Sequence, residues 1–257
     1  MKTALCYFTG TGNTLAVAKE LAAGLEDAKL LSIARMDGFD ALAEAEAIGL
    51  LSPVYVWGLP KRVVRFLRAL QAPSDAYLFS LVTCGGTPGP THAQTERLLK
   101  RRGLVLSAAW GVQMPSNYIV FAGAEPREKQ AQQFAAATAK IAEIAAAVQA
   151  RKTEPIEHLP LGERLMPRLL YNLSMPMFRQ LDRVYRADET CNGCGICARI
   201  CPVSNIRLVD ERPRWRHRCE QCFACLQWCP QQAIQFGRGT ADRERYHHPQ
   251  ISVKDLM

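Results

Sequence analysis

Thr3-Ala4-Leu5-Cys6-Tyr7-Phe8-Thr9-Gly10-Thr11-Gly12-Asn13-Thr14-Leu15 is the stretch from which the architecture can be read. Thr3 to Phe8 is a short apolar run suited to a buried strand. After it, Leu15, Ala16, Ala18, Leu21, Ala22 and Leu25 recur at helical spacing. A strand, a turn of hydroxyls and glycines, then a helix amino terminus make a phosphate cradle: N–H groups point inward, hydroxyls donate and the dipole favours an anion. The glycines let the backbone approach closely. The alternative is a helix start that holds no ligand. The turn lacks the Lys of a P-loop and the third Gly of G-x-G-x-x-G, which argues against nucleoside triphosphate and dinucleotide binding.

Outward from this unit, strands are expected near 3–8, 28–33, 47–56, 76–83 and 105–113, with helices between them, including 94–102 and 127–150. That alternation predicts a doubly wound parallel α/β sheet, whose ligands sit beyond the carboxyl ends of the strands. Three further loops fall there: Tyr55-Val56-Trp57-Gly58, Thr83-Cys84-Gly85-Gly86 and Met114 to Tyr118. Cys6 is expected in the core. Cys84 reads as a small buried residue, with redox activity as the alternative, and His92 reads as part of a helix start.

Thr-x-Thr-Gly-Asn-Thr at the first strand–helix junction resembles the flavodoxins, and the likeness spans about residues 1–150. It implies strand order 2-1-3-4-5 and an FMN whose phosphate rests on Thr9, Gly10, Thr11, Gly12, Asn13 and Thr14. It also implies an aromatic stacked on the flavin from the loop Tyr55, Val56, Trp57 and Gly58, with Trp57 the first choice and Tyr55 the second. Thr83, Cys84, Gly85 and Gly86 would bound the pyrimidine side. The alternative for Trp57 is packing against the helix that starts near Pro60.

A second organising stretch holds eight of the ten cysteines. C-x2-C-x2-C-x3-C-P occurs twice, as Cys191, Cys194, Cys197, Cys201 and as Cys219, Cys222, Cys225, Cys229, each followed by Pro. Three thiolates at this spacing take three corners of an iron–sulfur cube, and the fourth reaches the other cube. The expected sets are Cys191, Cys194, Cys197 with Cys229, and Cys219, Cys222, Cys225 with Cys201. Zinc and disulfides are the alternatives, though neither calls for packed quartets. The segment resembles the bacterial 2[4Fe–4S] ferredoxins, which implies a small α+β domain with both clusters close together. Trp215, in a longer spacer than the minimal ferredoxin, is expected to shield a cluster edge.

The organisation that follows is 1–150 as an FMN domain, 151–186 as linker and connecting helix, 187–236 as a ferredoxin domain and 237–257 as a tail. Leu165, Leu169, Leu173, Met177, Leu181 and Val184 keep near four-residue spacing in the connector. It is expected to be a helix broken or bent around Pro167 and Pro176, whose apolar face packs one domain on the other; a membrane surface is the alternative. In the tail, His247 and His248 point apart in extended chain, which favours a packed segment over a metal site.

The net charge of +8 raises nucleic acid as a partner. Two oxidised clusters and a flavin phosphate would bring the loaded protein to about +2, and the basic runs read as solvated faces or a docking surface for an acidic redox partner. The start of the chain lacks an apolar signal region and no 18-residue apolar span occurs, so a cytoplasmic location is expected.

Over nearly its whole length the chain is similar to the flavodoxin–ferredoxin fusion family, ferredoxins with an amino-terminal flavodoxin domain. The resemblance implies electron transport in anaerobic metabolism, with a ferredoxin or reductase as partner. The expected function is a relay between two [4Fe–4S] clusters and FMN, linking one-electron and two-electron carriers. The alternative is an FMN-dependent oxidoreductase that reduces a small organic substrate with electrons delivered through the clusters. No His, Asp or Glu accompanies the flavin loops, so no catalytic acid or base is expected.

Overall fold

The structure, a computed structural model, describes residues 1–156 and 160–257. Residues 157–159, in the expected linker, lie outside the described residues. Strands β1 (Lys2–Tyr7), β2 (Asp27–Ser32), β3 (Ala47–Pro53), β4 (Tyr77–Cys84) and β5 (Leu106–Gln113) form one parallel sheet in the order β2-β1-β3-β4-β5. The helices between them are α1 (Asn13–Ala23), α2 (Lys61–Ala69), α3 (Thr91–Lys100) and α4 (Arg127–Gln149).

The two-residue period of the strands divides the core. From β1, Leu5 joins Val17 and Leu21 of α1 and Ile141 and Ile144 of α4. Ala4, Cys6 and Phe8 face the other way, toward Val63 and Leu67 of α2 and Leu98 and Leu99 of α3. Both faces of the sheet are therefore covered, as parallel sheets require. Cys6 is fully buried, and desolvation pushes its thiol up to about 12.

The connector folds as one helix, α5 (Leu161–Phe178), with Pro167 and Pro176 both inside it. The expected packing face is a correction. Leu165, Leu169, Leu173 and Met177 are turned to solvent. What packs is the opposite side: Met175 and Phe178 are buried, and Tyr171 Oη donates to Leu59 O at 2.6 Å. Four-residue spacing marks an apolar face without saying what covers it, and Tyr171, Met175 and Phe178 make a second stripe that the neighbouring domain takes. Among the described residues no helix is long and apolar enough to cross a membrane.

The carboxyl-terminal part is built of two short antiparallel pairs. Strand β6 (Tyr185–Ala187) pairs with β9 (Ile234–Phe236), and β7 (Ile206–Val209) with β8 (Arg212–Trp215). Each cysteine run carries a one-turn helix, α6 (Ile196–Arg199) and α7 (Ala224–Gln227). The last residues return to the first domain: His248 N donates to Thr11 O, Ala124 N to Glu244 O, and Lys19 pairs with Asp255.

Candidate functional site

Beyond the carboxyl ends of β1, β3, β4 and β5 lies a cavity of about 630 Å3. Thr9, Gly10, Thr11, Asn13, Thr14, Tyr55, Val56, Trp57, Thr83, Cys84, Gly85 and Gly86 line it, together with Met114 to Tyr118. Gly12 and Gly58 do not. Gly12, at φ +99°, backs onto His248 and Ile251, where a Cβ would meet both side chains at 3.1 Å. Gly58 lies under the Tyr171 ring, which would sit 2.4 Å from a Cβ there. Both glycines shape the loops from behind.

The Thr9 to Thr14 turn is prepared to donate. Thr9 Oγ1 accepts from Gly12 N at 3.2 Å and Thr11 Oγ1 accepts from Asn117 Nδ2 at 2.8 Å, so each hydroxyl hydrogen remains for a ligand. Thr14 and Thr83 share a hydrogen bond of 2.8 Å between their hydroxyls. Helix α1 starts at Asn13 with no acidic residue in its first turn, which leaves its positive end for an anion. Asn13 holds the loop in place through its amide, with Nδ2 donating to Pro115 O at 2.9 Å and Oδ1 accepting from Tyr246 Oη at 2.6 Å.

Opposite, Tyr55 and Gly58 exchange backbone bonds of 2.8 and 3.1 Å around Val56 and Trp57 at φ +49° and +57°. Two successive left-handed residues make a tight hairpin turn, and a β-branched one there is strained. The turn leaves Trp57 at the cavity lip, 43% exposed. Tyr55 Oη is buried with no hydrogen-bond partner among the described residues. Cys84 is buried, its Sγ donating to Gly86 O at 3.3 Å, and desolvation pushes its thiol up to about 11. His92 sits in the first turn of α3, 3.2 Å from Ser80 Oγ, and burial lowers it to about 4. The size, donors and aromatic lip of this cavity suit a flavin nucleotide.

The cysteines fall into two sets, each lining its own small cavity. One holds Cys191, Cys194, Cys197 and Cys229, the other Cys201, Cys219, Cys222 and Cys225 with Trp215. Among the described residues no three His, Cys, Asp or Glu side chains are placed to hold a single metal ion. Four thiols around a cavity instead suit a cluster that fills it. N–H groups point at the sulfurs: Asn205 N to Cys201 Sγ at 3.2 Å and Gln221 N to Cys219 Sγ at 3.3 Å. Desolvation raises the Cys219, Cys222 and Cys225 thiols, so the thiolate form depends on the positive charge of a bound iron core.

The flavin-type cavity and the second cysteine set touch. A Cβ on Gly10 would lie 2.7 Å from Cys222 O and 2.9 Å from Cys222 Cβ, so only glycine admits this approach. Gln221 lines the larger cavity while its backbone reaches Cys219. Trp228 Nε1 donates to Gly10 O at 3.1 Å, and Gln227 Nε2 to Asn117 O at 2.9 Å. Glu220, 5% exposed, accepts from Lys61 N at 2.8 Å and so caps α2, while desolvation raises its carboxyl to about 6. The sequence gives no signal for Gln221, Glu220 or Gln227, which are unremarkable polar residues between cysteines. The tail is packed as expected, and the structure adds where: Tyr246 and His248 sit directly behind the Thr9 to Thr14 turn.

A flavodoxin domain family matches residues 4–125 and a 4Fe-4S dicluster domain family matches residues 183–230. No curated protein matches the chain. Among solved structures, a flavodoxin from the domain Archaea is similar at 19% identity, over 57% of this chain and 99% of that one, with a TM-score of 0.37. Two-electron reduced Megasphaera elsdenii flavodoxin is similar at 20% identity over 42% and 84%, TM-score 0.36. Oxidised flavodoxin 1 from Bacillus cereus is similar at 16% over 58% and 98%, TM-score 0.41. With a flavodoxin domain before a dicluster domain, the chain has the make-up of a flavodoxin–ferredoxin fusion and is an electron-transfer iron–sulfur flavoprotein whose cofactors are FMN and two [4Fe–4S] clusters.

Proposed function

We propose that the protein is an internal relay in which electrons pass between FMN and an outside redox protein by way of both clusters, in a fixed spatial order. In this reading residues 1–150 are the FMN module, 151–186 the connector, 187–236 the cluster module and 237–257 a strap behind the phosphate loop. Thr9 to Thr14 would hold the FMN phosphate, Trp57 and Tyr55 would flank the ring, and the backbone of Thr83 to Gly86 would bound its far edge. Cys201, Cys219, Cys222 and Cys225 would hold the cluster nearest the flavin. Cys191, Cys194, Cys197 and Cys229 would hold the outer one.

The observation that carries this order is the contact between Gly10 and Cys222, which brings the phosphate loop against one cysteine set and leaves the other at the surface. Cys219, Cys222 and Cys225 are each 9% exposed, whereas Cys194 is exposed. Flavin supplies two-electron chemistry and each cluster one-electron chemistry, so joining them links the two kinds of carrier. The chain's own part is positional: Gly10 admits the close approach, Gln221 and Asn205 direct N–H groups at sulfur, and burial excludes water.

A second reading, reduction of a small organic substrate at the flavin, draws on the cavity lip. Trp57, Tyr118 and Phe121 are there, 43%, 38% and 83% exposed. Anaerobic purification followed by iron, sulfide and flavin quantification tests the common core: about eight irons and one FMN per chain are expected. Zinc, or four irons without flavin, would overturn it. Stepwise reduction followed by EPR and visible spectra then separates the readings. A reduced flavin that discharges into an added ferredoxin, but not into small nitroaromatic or quinone probes, supports the relay.

A further inference from the structure

Helix α5 is apolar on two sides, and one of them is bare. Its inner side meets the protein through Tyr171, Met175 and Phe178. On its outer side Leu165, Met166, Leu169, Leu173 and Met177 are 64%, 62%, 54%, 58% and 60% exposed. At about 100° per residue these five fall on one continuous arc. No polar residue interrupts it. A monomeric protein that turns five large apolar side chains of one helix to water departs from the usual pattern of scattered single ones.

The arc has a charged border. Arg168 and Arg179, both exposed, fall beside it along the same edge. Behind them lie more cations: Arg97 is within electrostatic reach of Arg168 and Arg101, and Lys61 of Arg65 and Arg179. Apolar chains on a convex helix with guanidinium groups level with one edge match a bilayer interface, where the arc sinks to the acyl boundary and the cations meet anionic headgroups. A second copy of the chain would instead bring the same arginines against these. The helix is not long and apolar enough to span, so it would lie in the plane of the surface.

We propose that the outer face of α5 docks this protein on an anionic lipid bilayer. The other edge of the arc runs toward Ser174 and Phe178, which line the flavin cavity, so docking would bring the cavity lip close to the membrane. The proposal stands apart from the relay reading and survives its failure.

The test is co-sedimentation of the anaerobic full-length holoprotein with vesicles of phosphatidylcholine alone or mixed with phosphatidylglycerol. Binding to the mixed vesicles is expected, weakening as salt rises. Leu169→Glu with Leu173→Glu should weaken it by about tenfold or more, with flavin and cluster absorbance unchanged as evidence that the fold is intact. Arg168→Gln with Arg179→Gln should reduce the advantage of the mixed vesicles. No binding to mixed vesicles at low salt overturns the proposal. So does equal binding by the Glu variant. A dimer that the Glu variant dissolves, or an acidic protein captured in place of vesicles, would assign the arc to a protein partner and overturn it as well.

Discussion

The two cysteine runs share one spacing and differ in nearly everything around it. In the first, the two backbone positions that must turn left-handed are Gly193 and Gly195, at φ +72° and +73°. In the second, the same positions are Gln221 and Phe223, at +55° and +56°. A side chain held there costs about 1–2 kcal/mol, so something must offset it. Phe223 is 2% exposed and meets Tyr118 and Phe236 edge to face at 5.3 and 5.8 Å. Gln221 reaches both Cys219 and the flavin cavity. Spacing thus decides what a run can ligate, and the residues between the cysteines decide what it packs against. The second run makes most of the seam between domains, joined there by Ile200 of the first, whose first three cysteines stay less buried.

The comparison breaks most completely at the fourth cysteines. Cys201→Ala should leave about four irons per chain, lost from the set lined by Cys219, Cys222 and Cys225, although Cys201 belongs to the first run. Cys229→Ala should remove the outer cluster and spare the inner one. Iron analysis and EPR check both, and loss of the cluster nearest in sequence would refute the crossed assignment.

Next comes the strain. Phe223→Ala should destabilise the holoprotein by about 3 kcal/mol or more, since the cavity left behind outweighs any change in backbone preference. Gly195→Ala, at the matching position of the first run, should cost about 1 kcal/mol through left-handed strain alone. Anaerobic denaturant titration compares them. Similar losses would mean that packing does not distinguish the runs.

The strap sharpens the asymmetry by pH. His247 stacks on Trp228 of the second run at 4.0 Å, and His248 lies under Gly12, edge to face with Phe134 at 4.8 Å. Desolvation, and then His247, lower His248 to about 4. The unfolded chain therefore binds the extra proton between about pH 6.5 and 4, and stability falls as pH drops through that window and levels off below it. The depression sets an upper bound of about 3 kcal/mol on the loss, which solvent screening reduces to about 2 kcal/mol, and His248→Asn should flatten that part of the profile. An unchanged slope would remove His248 as its cause.

The smallest effect is local. Trp57→Ala should weaken FMN binding by about tenfold and leave iron content unchanged. Fluorescence titration of the flavin measures it, and a loss of clusters as well would show that the lip and the seam are not separate.

Much of this was legible because it depends on short-range pattern. The short apolar run from Thr3 to Phe8 marked a buried strand, and the hydroxyl-rich turn at Thr9 to Thr14 marked the end of it where a ligand was expected. The connector was legible as a helix and misjudged as a face: Leu165, Leu169, Leu173 and Met177 carry the stronger spacing, yet Tyr171, Met175 and Phe178 make the contact. Hydrophobic period reports that a face exists, while shape and the neighbour's surface decide which one is covered. Gly12 and Gly58 pack against His248 and Tyr171 for a similar reason, because a glycine signals close approach without saying to what.

The sequence by itself therefore determined the parts: a hydroxyl- and glycine-rich turn between a strand and a helix, a sheet order implied by likeness, and two cysteine runs of one spacing. Each follows from spacing along one segment. Only the tertiary structure decided how the parts meet: that Gly10 rests on Cys222, that Glu220 caps α2, that the strap closes behind Asn13, and that one side of α5 stays bare. These contacts join residues up to 233 positions apart. They arise from complementary surfaces formed after the segments fold, and no local pattern encodes them.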